Sequence, residues 1–154
     1  MRDGFVQRGG LWVLAQSALL LAVAGLGMAF RNESNHPILL LAGLVFLTAS
    51  ACCGIAGAVA LGRNLTPFPK PTAKAQFVDW GIYGLLRHPL YTSVLCGAIG
   101  WSLIWQSWPA LAVSLVLAVF LDAKARREEC WLREQFPEYA KYEQRVSRFL
   151  PWIY

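Results

Sequence analysis

Arg87-His88-Pro89-Leu90-Tyr91 sets a guanidinium, an imidazole and a phenol side by side at the start of a long uncharged run, with Tyr83 just upstream. Where that run ends comes Lys124-Ala-Arg-Arg-Glu-Glu129. If the uncharged stretch folds back on itself, the two polar clusters meet. Together they offer carboxylates that accept from hydroxyls or an amino group, cations that donate to a carboxylate, and aromatic faces for a flat heterocycle or a cation. Such an inventory suits an amphiphilic, nucleotide-like ligand. Each cluster alone has a plainer reading. Arg87-His88-Pro89 equally describes cytoplasmic-side positive residues and a proline at a helix start. Glu128 and Glu129 equally describe a solvated helix face, and Arg126 and Arg127 suit a headgroup layer.

The elements that must position these clusters are membrane spans. The 154 residues suit one domain, 56% of them are hydrophobic and only 15% are charged, a balance foreign to a soluble globule of this size. The net charge of +5 does not point to nucleic acid, because the positive residues lie between apolar runs. Leu11 to Phe30 is uncharged and long enough for a bilayer core of about 30 Å, and more apolar segments follow, so it reads as a retained span rather than a signal peptide. Ile38 to Gly62 is a second span, opened by Pro37 and closed by Gly62 and Arg63, and its glycines and alanines permit close helix contact. Leu90 to Leu121 as one helix would reach about 48 Å, more than a bilayer core requires. Gln106-Ser-Trp-Pro109 is the natural break, giving a tight hairpin and four spans; one kinked, tilted helix is the alternative. The expected fold is all-α: a polytopic membrane protein with about four transmembrane helices, the last two a hairpin, and a C-terminal amphipathic helical region.

The connections fill in the rest. The loop from Arg31 to His36 carries Arg31 and Glu33, whereas Arg63, Lys70, Lys74 and Arg87 face only Asp79 in the next one. That bias places both termini and both polar clusters on the cytoplasmic side of the inner membrane. Three prolines in five residues, Pro67, Pro69 and Pro71, make an extended, helix-free spacer. Asp122 is a candidate N-cap for a tail in which Trp131, Leu132, Gln135, Phe136, Tyr139, Tyr142, Val146 and Phe149 recur at helical spacing, with Pro137 splitting it in two. On periodicity alone this tail reads as a helix in the headgroup layer with its aromatics inserted. The cysteines show no paired or metal-binding spacing, and no metal centre is expected.

Taken together, Asn64-Leu-Thr-Pro-Phe-Pro69, Gly81-x-Tyr83-x-x-x-Arg87-His88-Pro89-x-Tyr91, Glu128-Glu129-x-x-Leu132, Phe136, Tyr139, Tyr142 and Arg145-Val-Ser-Arg-Phe-Leu-Pro151 resemble the isoprenylcysteine carboxyl methyltransferase family and the related phospholipid methyltransferases. The resemblance implies an integral-membrane enzyme in one domain, with residues 1–62 as two anchoring helices and 63–154 as the cofactor-binding and catalytic part. It implies S-adenosyl-L-methionine as cofactor and a lipid-like or lipidated acceptor in the bilayer. By alignment, Ala75, Gln76, Phe77, Val78, Tyr83, His88, Pro89, Leu90, Tyr91 and Glu128 would contact the cofactor. The family's substrate-contacting arginine falls on Lys124, and Arg126 and Arg127 would supply a guanidinium, which makes Lys124 and Arg127 the candidate catalytic cations. The implied reaction is carboxyl O-methylation; phospholipid N-methylation and a non-catalytic protein retaining the family shell are the alternatives.

Overall fold

The computed structural model describes residues 4–32, 36–151 and 153. Among them lie four long helices, α1 (Gly10–Ala29), α2 (Pro37–Leu61), α3 (Pro89–Ile104) and α4 (Trp108–Gln135), followed by the single turn α5 (Tyr139–Tyr142). Three of these are long and apolar enough to cross a membrane, and α3, with 16 residues, is a shorter apolar helix. The first two coincide with the uncharged runs to within a residue at each end. Glu33, counted in the charge bias of the first loop, lies outside the described residues. Leu21, Leu41, Ile55, Val59 and Val119 all face outward, an arrangement that a hydrocarbon surround accommodates.

The α2–α3 pair is held by small residues. At Gly43 an added Cβ would lie 2.9 Å from the Gly100 carbonyl oxygen, at Gly54 2.7 Å from Ser93 Oγ, and at Gly57 3.0 Å from Leu90. The two backbones therefore run antiparallel at closest approach. Lipid tails are as apolar as leucine, so contact of this kind, rather than hydrophobic burial, is what binds helices in a bilayer. Ser50 and Ser93 add reciprocal bonds, each hydroxyl donating to the other's backbone carbonyl at 2.8 and 2.7 Å. On the other side α1 packs against α4 through Trp12 and Phe120, and Val23, Ala98, Ala110, Leu117 and Leu121 form the centre of the bundle.

The hairpin break falls where expected. Gln106 takes a left-handed turn at φ 50°, Ser107 caps α4 by accepting from the Ala110 N–H, and Pro109 sits in the first turn, where its missing N–H costs nothing. The Ser107 hydroxyl also donates to the Leu26 carbonyl at 3.0 Å, fastening the turn to α1.

The tail differs from the expectation. Asp122 is no N-cap: α4 runs through it unbroken for 28 residues, about 42 Å. The onset of charge marks where the apolar stretch ends, not where the helix ends. Nothing between Ala110 and Phe136 is glycine or proline, and the alanines, arginines and glutamates there are strong helix formers. Residues 122–135 thus project beyond the apolar part of α4 as a rigid extension. Pro137 does end the helix, forcing Phe136 into an extended conformation (φ −125°, ψ 103°). Among the described residues beyond it stands the one turn α5, and its Tyr139 and Tyr142 are buried in protein around Phe77 rather than inserted in headgroups. Residues 143–149 then return along the start of α3, where Arg87 N–H donates to the Ser147 carbonyl at 2.8 Å and His88 N–H to that of Arg148 at 3.2 Å.

Candidate active site

His88 occupies the N-cap position of α3, its backbone set by the following proline and held by the bond to Arg148. Tyr91, one turn on, stacks flat on the His88 ring, with centroids 5.2 Å apart and planes 2° from parallel. Across from them, α4 carries Lys124 and Glu128 on one face, because residues four apart lie one above the other on a helix. The Tyr91 hydroxyl donates to Glu128 Oε2 at 2.5 Å, closing the two clusters on each other.

Glu129, 1% exposed, is the hub behind this wall. It faces His88 Nε2 at 3.1 Å and Arg87 Nη1 at 2.9 Å, and it accepts the two-pronged fork of Arg148 at 3.0 and 2.9 Å. Arg148 also reaches Asp122 Oδ1 at 2.9 Å. Burial pushes the Glu129 carboxyl up, but the His88 and Arg148 hydrogen bonds and the charges of His88 and Arg87 prevail and hold it down to about 2. Glu128 behaves oppositely: burial raises it above the ordinary carboxylate range, against the pull of His88, Tyr91 and Lys124. Two adjacent carboxylates are therefore divided by environment, one committed to structure and one left at the edge of a cavity.

That cavity holds about 760 Å³ and lies at the polar end of the bundle. Of the residues that the sequence suggested, Ala75, Gln76, Phe77, Val78, Tyr83, His88, Leu90, Tyr91, Lys124 and Glu128 all line it. Two do not. Pro89 is buried beneath Gly57 at the α2–α3 seam, and Arg127 points outward with its guanidinium over the Trp131 ring at 4.7 Å. Arg127 pairs with Trp131 four residues on, along the outer side of α4, whereas Lys124 and Glu128 pair along the cavity side.

Sequence reasoning missed three contributors. The proline stretch is a wall as well as a spacer: Leu65 to Pro69 line the cavity, and Asn64 clips the far end of the loop by bonding both the N–H and the carbonyl of Gln76 at 3.2 and 3.0 Å. Gln16 of α1 lines it too and accepts from Lys124 Nζ at 2.6 Å. A lone amide in an apolar span is a readable signal, since buried polar groups in membranes face cavities or partners. Sequence reasoning places Arg148 only within the block from Arg145 to Pro151, because the spacing of Val146 and Phe149 gives no partner for the residue between them.

Three helices long and apolar enough to cross a membrane, a shorter apolar one, and a cavity lined by aromatic, polar and apolar side chains at one end are the features of a polytopic membrane protein. A profile of the phospholipid methyltransferase family matches residues 38–139, and the chain belongs to that family. It is accordingly a membrane-associated methyltransferase. It is 29% identical over 146 residues to a probable protein-S-isoprenylcysteine O-methyltransferase of Oryza sativa subsp. indica, covering 92% of this chain and 76% of that one. It is 39% identical over 75 residues to the cobalt-zinc-cadmium resistance protein CzcN of Cupriavidus metallidurans, covering 48% of this chain and 35% of that protein. With the nickel-cobalt-cadmium resistance protein NccN of Alcaligenes xylosoxydans xylosoxydans it shares 27% identity over 153 residues, 97% of this chain and 68% of the relative.

Proposed function

We propose that this chain transfers a methyl group from S-adenosyl-L-methionine to a lipid-like acceptor, with both substrates meeting in the cavity between α1, α3, α4 and the proline loop. The observation that carries the reading is the convergence of Glu128, Tyr91, His88 and Lys124 on one cavity wall. The residues suit the cofactor. A volume of about 760 Å³ falls within the range of small-molecule sites, roughly 300 to 1,000 Å³. Phe77, Tyr83, Phe136, Tyr139 and Tyr142 supply ring faces for an adenine, and Glu128 supplies an acceptor for ribose hydroxyls or an ammonium.

When bound, the cofactor supplies a methyl group already activated by its sulfonium. The task left to the protein is alignment. Tyr91 fixes one oxygen of Glu128, so the carboxylate presents a defined edge to the cavity. Glu129, Arg87 and Arg148 hold His88 in place, and His88 in turn supports the Tyr91 ring. The ring of Tyr83 gives a methyl-bearing cation a negative face to rest on. The apolar lining from Val13, Leu90 and Val94 receives the hydrocarbon part of the acceptor. The excess of Lys and Arg in the loop from Arg63 to Arg87 supports a cytoplasmic cavity in the inner membrane. Among the described residues no group of three or more His, Cys, Asp and Glu could hold a metal ion.

Calorimetry with the purified protein in detergent tests the cofactor assignment. Glu128→Gln is expected to weaken S-adenosylmethionine binding by about tenfold or more, the worth of one hydrogen bond to a charged group. Equal affinity in the variant rejects the role of Glu128. With methyl-tritiated cofactor and a membrane extract, label in a base-labile ester identifies a carboxylate acceptor; label in base-stable lipid identifies phospholipid N-methylation.

A further inference from the structure

The cavity wall from Leu65 to Pro71 contains no helix, and its ends are held differently from its middle. Asn64 bonds the N–H and the carbonyl of Gln76 across the base of the loop, and Gln135 Nε2 donates to the Thr72 carbonyl at 2.9 Å. Between these pins, Pro67, Pro69 and Pro71 have no N–H to give to a neighbouring element. The Phe68 N–H donates to Thr66 Oγ1 of the same loop at 3.3 Å. The middle is thus a stiff span, and proline chemistry keeps it from being laced to the bundle by a regular backbone ladder.

The segment ahead of α1 bears on that middle. The Phe5 ring meets Phe68 edge-on with centroids 5.7 Å apart, and the Arg8 guanidinium lies 4.3 Å from the centroid of the same ring. Residues 4–10 close one turn, in which the Arg8 N–H donates to the Gly4 carbonyl at 3.2 Å and the Gly10 N–H to that of Phe5 at 2.9 Å. Two glycines let this turn fold against the loop. Gly9 takes φ 84°, and a Cβ there would lie 2.7 Å from Pro69 Cγ; a Cβ at Gly10 would collide with the Phe5 ring. Phe68 and Pro69 line the cavity, whereas Phe5, Arg8 and Gly9 do not, so the turn presses on the loop from outside it. Phe5 is half exposed, and ring contacts in such surroundings are individually weak enough to be made and broken.

We propose that residues 65–71 are a door through which the water-borne cofactor enters and leaves, and that the turn from Phe5 to Gly9 is its latch. This rests on the reading of the cavity as the methyl-transfer site. Asn64, Gln76 and Gln135 hold the hinge ends, and Phe68 is the surface on which the latch closes. The segment ahead of the first span then sets how fast the chamber exchanges its cofactor, without touching the cofactor.

The test uses the full chain in nanodiscs, with methyl-tritiated S-adenosylmethionine followed by rapid filtration. Phe5→Ala removes the ring contact, and Gly9→Ala drives a methyl group into Pro69 and dislodges the turn. Each is expected to raise both the association and the release rate by about tenfold, roughly the worth of one aromatic contact, with equilibrium affinity kept within about threefold. A side chain that merely supported the bound cofactor would change release alone. Hydrogen exchange of the cofactor-free protein reads the door directly: the Phe68 and Lys70 amides are expected to exchange about fivefold or more faster in either variant, with α2 and α3 unchanged. Phe5→Ala carries the test if Gly9→Ala fails to fold, as judged by helical circular dichroism. Unchanged exchange in the loop overturns the latch. Unchanged cofactor rates, or release accelerated without association, overturn the door. A wild type that takes up no S-adenosylmethionine, while loop exchange still responds to the substitutions, overturns the methyl-transfer reading and leaves the latch standing.

Discussion

Replacing Glu129 with glutamine keeps the shape of the side chain and removes the charge on which Arg87, His88, Arg148 and, at 4.0 Å, Arg133 converge. Its effect can be worked two ways. The carboxyl lies at about 2 in the fold against an ordinary 4.5, a difference worth about 3 kcal/mol at roughly 1.4 kcal/mol for each pH unit. Independently, breaking a buried ion pair by removing one partner costs about 3–5 kcal/mol. The lower end applies, because Arg148 keeps Asp122 and Arg87 keeps Glu143 at 3.6 Å. For a chain of this size, about 3 kcal/mol lowers the melting midpoint by roughly 6–12 °C. The sign with pH is also fixed. A depressed carboxylate stabilises the fold fully above the unfolded value and loses that contribution as pH falls from about 4.5 toward 2. Thermal scans of wild type and Glu129→Gln in detergent from pH 7 to pH 3 are therefore expected to show a gap that narrows on acidification. Binding of S-adenosylmethionine should fall as well, since His88 loses its support. A variant that melts within about 2 °C of wild type at pH 7, or a gap independent of pH, refutes Glu129 as the hub.

Gly43→Leu is expected to force α2 away from the Gly100 carbonyl and to destabilise the helix pair by about 1–3 kcal/mol, read as a lowered midpoint in thermal scans. Arg127→Ala, which alters only an outward contact over Trp131, should leave both cofactor affinity and methyl transfer within about twofold of wild type by calorimetry and tritium incorporation. Asn64→Leu removes both bonds that clip the proline loop to Gln76, and cofactor affinity should drop by roughly tenfold while helical circular dichroism is unchanged.

The spans were legible because membrane insertion reads composition over whole helices, and an uncharged run of bilayer length has few alternatives. The break at Gln106 to Pro109 was legible for a local reason, a proline preceded by a capping serine. The end of α4 was misjudged at Asp122 because the change from apolar to charged residues was taken as a change of structure. Helix termination depends on caps and prolines, and Asp122 instead faces Arg126 and Arg148 along a continuous helix. The meeting of Tyr91 with Glu128 followed from hairpin topology. The roles of Gln16 and Arg148 did not, because each is decided by a partner more than fifteen residues away, Lys124 in one case and Glu129 in the other. Periodicity reports which face of an element is buried; it does not report which distant side chain arrives to meet it.

The return of residues 147–149 along Arg87 and His88 has a consequence for the order in which the protein is made. All four long helices are synthesised before Arg148, so a nascent chain can lodge its spans in the bilayer while Glu129 still lacks its guanidinium fork. During that interval the His88 wall is incomplete. The spans therefore precede the candidate site in synthesis, and a chain halted by a premature stop codon after α5 would lack the guanidinium fork on Glu129.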